Sequence, residues 1–246
     1  MAISHLTMQG KGGVGKTFVA AILAQYISST LDESGKLAVV DTDPVNATLS
    51  EYNAFEVQHL DIQDKDSTRI NERSFDQLIE QMADAPDTHF VVDNGAASFV
   101  PLSNYLIENT AIEMLLDMGR EIWVHPVITG GQGMMDTLNG LAQLIDQMPE
   151  TVKIVVWKNT FFGDIEQDGK TFEQMNVYKK NADRIHAVVE IPKYSADTYG
   201  VDIKQMLQQK LSFAQAVESP GFGLMSRQRL KNAQRDIFDR VGEVLG

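Results

Sequence analysis

Short, nearly continuous apolar runs alternate along this chain with longer stretches in which apolar positions recur at helical spacing. Residues 3–8 read as a strand, a glycine-rich turn follows, and residues 17–29 read as a helix. A second strand, 37–40, runs into Asp41, Thr42, Asp43 and Pro44, where acidic residues and a proline end the ladder. The same patterns predict strands at 90–92, 122–127, 152–157 and 187–191, and helices at 75–82 and 134–148. Strands that stay apolar without alternation are covered on both faces. The pattern therefore calls for an α/β fold, a doubly wound, mainly parallel sheet flanked by helices on both sides. Without repeats or a low-complexity linker, one domain over 1–246 is expected. It ends in an amphipathic helix at about 226–245, where Leu230, Ile237, Val241, Val244 and Leu245 share a face.

Charge and composition narrow the chemistry. With 21 Lys and Arg against 34 Asp and Glu, the formal net charge is −13, which argues against a charge-driven coat on DNA or anionic lipid. Residues 51–87 hold ten acidic side chains (Glu51, Glu56, Asp61, Asp64, Asp66, Glu72, Asp76, Glu80, Asp84, Asp87) against Lys65, Arg69 and Arg73, and read as a solvated face. Cysteine is absent, so thiolate metal sites, clusters and Cys nucleophiles drop out together. The start has neither a basic nor a long apolar leader region, and no apolar run approaches the ~18 residues of a spanning helix, so a cytoplasmic location is expected. His5, His59, His89, His125 and His186 lack metal-ligand spacing and are read as structural; Trp123 and Trp157 are read as core.

Gly10, Lys11, Gly12, Gly13, Val14, Gly15, Lys16 and Thr17 satisfy GxxxxGKT between a predicted strand and a predicted helix, the context this phosphate-binding loop requires. Glycines let the backbone amides close round a polyphosphate, and the following helix points its positive end at the same charge. Lys16 would reach the β and γ phosphates, and the Thr17 hydroxyl would ligate Mg²⁺.

The additional Lys11 makes the loop KGGVGKT, which resembles the deviant Walker A motif of the ParA/MinD superfamily of ATPases. The resemblance implies a P-loop ATPase with ATP and Mg²⁺ as its ligands, and a Lys11 that acts across a dimer interface on the partner's nucleotide. VVDTDPVNATLS, residues 39–50, resembles switch I of that superfamily. Asp43 matches its water-positioning carboxylate, and Asp41 stands as a partner of Mg²⁺. FVVDNGAA, residues 90–97, resembles the Walker B and switch II region, with Asp93 near the metal; the paired prolines common there are replaced by Asn94, Gly95 and Ala96. In IVVWKNTFFG, Asn159 matches an adenine-binding asparagine, and no guanine-reading Asp follows it, so ATP is favoured over GTP. Pro192 in EIPKY matches a loop beside the base.

The layout QGKGGVGKT, DTDPVNATL, VDNGA, ITGGQGMMDTLNGL and VVWKNTFFG is similar to that of the plasmid-borne TraL/StbB-type members of the superfamily, which accompany conjugative transfer and plasmid stability. It implies an ATP-dependent homodimer with a plasmid-encoded DNA-binding or transfer protein as partner. Two other readings stand beside it: an ATP-dependent ligase of the dethiobiotin synthetase type, and a nucleotide-binding scaffold without turnover. Within the superfamily, C-terminal basic residues can meet DNA and a C-terminal amphipathic helix can meet membrane. Arg227, Arg229, Lys231 and Arg235 are the residues concerned here, with peripheral contact to nucleoid or membrane as the implied location and packing of the helix on the domain as the default.

Overall fold

The computed structural model describes residues 2–64, 67 and 69–246, so Lys65 and Asp66 of the acidic stretch lie outside the described residues. The first half of the chain forms β1 (Ile3–Thr7), α1 (Lys16–Thr30), β2 (Lys36–Asp41), β3 (Val57–His59), α2 (Phe75–Asp84), β4 (Thr88–Asp93), α3 (Phe99–Glu108) and α4 (Ala111–Asp117). Next come β5 (Glu121–His125), β6 (Val127–Thr129), α5 (Met134–Gln147), β7 (Lys153–Asn159) and a small hairpin of β8 (Glu166–Gln167) and β9 (Lys170–Thr171). The chain closes with α6 (Asn176–Asn181), β10 (Ile185–Ile191), α7 (Tyr199–Gln208), α8 (Phe213–Glu218) and α9 (Leu224–Leu245).

Among the described residues, eight strands form one sheet in the order β10-β7-β5-β1-β4-β2-β3, with β6 also paired to β7, and every pairing within it is parallel. Side chains alternate across it. Val40, Phe90 and Val92 face a core closed by α2 to α5, while Val39, Val91, Val155 and Trp157 face one closed by α1 and α7 to α9. The doubly wound architecture follows from that two-sided burial. Because the chain passes from β1 over β4 to β2, and later returns to β1's other side with β5, the crevice of an open α/β sheet lies at the carboxyl end of β1. Register brings the relevant ends level: Thr7 lies opposite Asp93, and Asp93 opposite Asp41.

Three differences from the sequence patterns have physical causes. The predicted strand at 122–127 is divided at Pro126, which has no N–H to give the ladder but whose carbonyl still accepts from the Trp157 amide at 2.8 Å. The acidic segment is more than a solvated face. Its charges stay largely outward, yet Leu60, Ile62, Phe75, Leu78 and Met82 are buried, and β3 adds an edge strand too short for a periodic signal. In α9, Leu230, Ala233, Ile237 and Val241 pack into the second core, so its apolar face is already covered by the domain. Arg227 donates to the Ser219 and Phe222 carbonyls and Arg229 to the Asp202 carboxylate, which leaves Lys231 and Arg235 as the solvent-facing pair of the four.

Trp123 and Trp157 are buried as expected. His125 accepts from Trp157 Nε1 at its Nδ1 (3.0 Å), so its own proton sits on Nε2, 3.0 Å from the His5 Nδ1 that receives it. Burial holds both imidazoles neutral: His125 is pushed down to about 3, and His5 well below its usual value, with His125 and His89 adding to the effect.

Candidate nucleotide site at the carboxyl edge of the sheet

The loop leaves β1 under tight constraint. Gln9 is buried, and its Nε2 donates to the carbonyls of Val127 (3.0 Å) and Thr137 (3.1 Å), tying the loop's base to β6 and α5. Gly13 and Gly15 then take φ of 74° and 103°, a left-handed path closed to most side chains. A Cβ on Gly15 would lie 2.6 Å from Asn159 Nδ2, so the turn is fixed by contact as well as by torsion. Helix α1 starts at Lys16 with neither a side-chain cap nor an acidic residue in its first turn. Its leading amides and its positive end are left for an anion. The Lys16 ammonium folds back over the loop, donating to the Lys11 carbonyl at 3.2 Å; burial lowers its pKa while Asp93 and Asp43 pull the other way. A buried cation over uncapped amides is a cradle for phosphate oxygens.

Three carboxylates converge on this cradle in different ways. Asp93 is buried, accepts from Thr7 Oγ1 at 3.0 Å with the Thr17 hydroxyl close by, and is pushed up to about 6 by burial despite those hydroxyls and the Lys16 charge. Asp41, also buried and raised by desolvation, spends one oxygen on the Asp43 amide (3.0 Å) and the other on the Ser50 amide and hydroxyl (3.0 and 3.2 Å). It therefore shapes the loop that follows β2. Asp43 accepts the Val45 and Asn46 amides at 2.9 and 3.0 Å and presses on Gly95, where a Cβ would stand 2.6 Å from its Cγ. Among the described residues no cluster of three or more His, Cys, Asp or Glu could hold a metal alone. Thr17 and Asp93 side by side, with phosphate oxygens completing the shell, suit Mg²⁺, which keeps waters and takes few protein ligands.

Asn159 is placed differently from a free base reader. Its Nδ2 donates to the Val14 carbonyl at 2.8 Å and its Oδ1 accepts the Phe161 amide at 3.1 Å, so the side chain braces the loop from the end of β7. Beside it opens a cavity of about 800 Å³ reaching Gly13 and Gly15, with Phe18, Phe161, Phe162, Pro192 and Tyr194 among its walls. Pro192 thus lines the space next to the loop, and its apolar character suits the flat face of a base. Lys11 is exposed, with Nζ 2.8 Å from Asp136 at the start of α5, and is not among the cavity's walls. Sequence patterns did not point to Gln9, Asp136, Phe161 or Phe162, whose partners stand more than a hundred residues away or at a cavity wall that no spacing encodes.

The family described as CobQ/CobB/MinD/ParA nucleotide binding domain, CbiA, matches residues 6–235. The chain belongs to this family. It is 46% identical over 241 residues to Protein TraL of Escherichia coli, covering 98% of both chains, as it is to a second E. coli protein of that name. Among solved structures, the fold is shared with a ParA family ATPase from Chlorobium tepidum (TM-score 0.52, 15% identity, 94% of this chain and 97% of that one). It is shared too with the MinD cell division protein of Aquifex aeolicus (TM-score 0.51, 14% identity, 97% and 98%). As a member of the CobQ/CobB/MinD/ParA family, the chain carries its nucleotide-binding domain over a span that takes in the loop at 10–17, β2, β4, Asn159 and Pro192.

Proposed function

We propose that this protein is an ATP-binding, slowly hydrolysing dimeric switch ATPase of the ParA/MinD type, serving plasmid stability, partition or conjugative transfer. The observation that carries the reading is one loop bearing two lysines of opposite disposition: Lys16 turned inward over uncapped amides, Lys11 turned outward at the rim. Amides of residues 10–17 would hold the phosphates of ATP and Lys16 would neutralise them, with Asn159 bracing the loop and Pro192 and the two phenylalanines flanking the base. Thr17 and Asp93 would hold Mg²⁺, which when bound would supply charge neutralisation for the phosphates. Asp43 would orient a water in line; the new bond forms from that oxygen to the γ-phosphorus, the bond to the bridging oxygen of ADP breaks, and the water's proton ends on phosphate.

A face-to-face dimer is supported by the rim. Val45 is 68% exposed, Val100 47% and Met135 46%, and each is placed beside a residue of the site: Val45 donates its amide to Asp43, Val100 follows the Phe99 that packs on Gly10, and Met135 precedes Asp136. Apolar side chains around a charged cleft suit burial against a second copy. The location that fits is the cytoplasm, with a plasmid-encoded DNA-binding or transfer protein as partner; no helix among the described residues is long and apolar enough to cross a membrane. The test is light scattering after size exclusion in Mg²⁺-ATP and in Mg²⁺-ADP, together with phosphate release. The mass is expected to double only with ATP, and to stay doubled in Asp43→Ala while phosphate release stops. Constant mass in both proteins refutes the switch.

A further inference from the structure

The turn after β4 contains Asn94, Gly95, Ala96, Ala97 and Ser98, with no proline to stiffen it and a glycine at its centre. It is nevertheless wedged between the loop and switch I: a Cβ on Gly10 would stand 3.1 Å from the Phe99 ring, Ala96 faces Gly12, and Gly95 abuts Asp43. What holds it is a set of side-chain hydrogen bonds centred on Asn94, which is fully buried along with Thr42 and Ser98. Asn94 Oδ1 accepts from Ser98 Oγ at 2.7 Å and from Thr42 Oγ1 at 3.1 Å. Thr42 donates its amide to the Asp93 carbonyl at 2.9 Å, and Ser98 Oγ reaches the Gly95 carbonyl at 3.1 Å. The Asn94 Nδ2 finds no partner among the described residues. In either orientation of that amide the two hydroxyls are its neighbours, since each can donate to its oxygen or accept from its nitrogen.

Thr42 is the residue before Asp43, and Ser98 immediately precedes α3, its hydroxyl turned to the Asn94 side chain rather than to the helix amides. We propose that Asn94, with Thr42 and Ser98, is the positioning group that couples the two switches, so that the place of Asp43 above Gly95 follows the conformation of the turn after Asp93. None of the three side chains needs to touch nucleotide for this. Their contribution to turnover rests on the ATPase reading above, whereas the mechanical coupling does not.

Amide hydrogen exchange on the full chain without nucleotide tests the coupling directly. Ser98→Ala removes a hydroxyl from one switch and is read on the other, where the amides of Thr42, Asp43 and Ser50 should exchange about three- to tenfold faster, the net worth of one hydrogen bond. Ser98→Thr should stay at the wild-type rate. In the reciprocal, shape-conserving variant Thr42→Val, the amides of Asn94 and Phe99 should accelerate by the same factor, since coupling runs equally in both directions. Variants that disturb only their own segment overturn the proposal. With Mg²⁺-ATP, Ser98→Ala should lower kcat about tenfold with the Kd for ATP within about twofold, and the double variant should be no slower than the worse single one. Equal losses in kcat and affinity, or additive losses, count against a positioning role. Wild-type turnover no faster than that of Lys16→Ala sinks the ATPase reading, and the exchange rates alone then decide whether the switches are coupled.

Discussion

If Lys11 serves a partner subunit's nucleotide, it must first leave Asp136, and the size of that restraint can be worked from its surroundings. The ammonium and carboxylate are 2.8 Å apart with side chains 46% and 57% exposed. Water screens such a pair to about 0.2–1 kcal/mol. A symmetric dimer releases two of them, so the restraint on assembly is at most about 2 kcal/mol, or roughly thirtyfold in the dimer dissociation constant. Asp136→Asn is therefore expected to tighten the ATP-dependent dimer by about two- to thirtyfold, less so in high salt, with the melting temperature almost unchanged. Lys11→Ala breaks the same pair at the same small cost to stability, yet should lower turnover by about a thousandfold or more, the scale of a cation supplied in trans. The assay is a dilution series by sedimentation velocity in Mg²⁺-ATP on the Asp43→Ala background, with phosphate release measured on the native background. A weaker dimer in Asp136→Asn, or near-normal turnover in Lys11→Ala, refutes the reasoning, because one contact cannot then be both a resting place and a restraint.

Two further outcomes follow from the geometry. In Gly15→Ala, a methyl group 2.6 Å from Asn159 Nδ2 at φ 103° must dislodge the brace on Val14. ATP affinity by calorimetry should fall by about tenfold or more, the scale of ~1–3 kcal/mol of backbone strain in the binding loop, while wild-type affinity would show that the loop is not held as described. The His5 and His125 pair predicts acid sensitivity: both imidazoles are neutral when folded, His125 down to about 3, so below about pH 6.5 the unfolded chain gains protons the folded one refuses. Stability then falls with pH by about 1.4 kcal/mol per unit per histidine, opposed between about 6 and 4 by Asp93, whose raised carboxyl takes up a proton more readily in the folded state. Urea unfolding of His125→Gln, which can still accept from Trp157, should show a slope between pH 6.5 and 5 shallower by about one proton; an unchanged slope rules out His125 as the group responsible.

Backbone-driven features were open to reading along the chain. The loop at 10–17 is legible because phosphate binding needs glycines, a lysine and a helix start in immediate succession, and the acidic ends of β2 and β4 are legible because buried parallel strands stop where charge begins. The same local logic places α5, β7 and α9 within a few residues of their bounds. What distance in the sequence separates, packing alone brought together: Gln9 with Thr137, Lys11 with Asp136, Asn159 with Val14, and Asn94 between Thr42 and Ser98. It also settled how α9 spends its amphipathic face and its first two arginines. The order of residues thus determined the glycine turn and the helix start that follows it, since those are properties of one stretch of chain; tertiary structure decided which side chains hold that turn, since a hydrogen bond depends on proximity in space and periodicity carries no record of it.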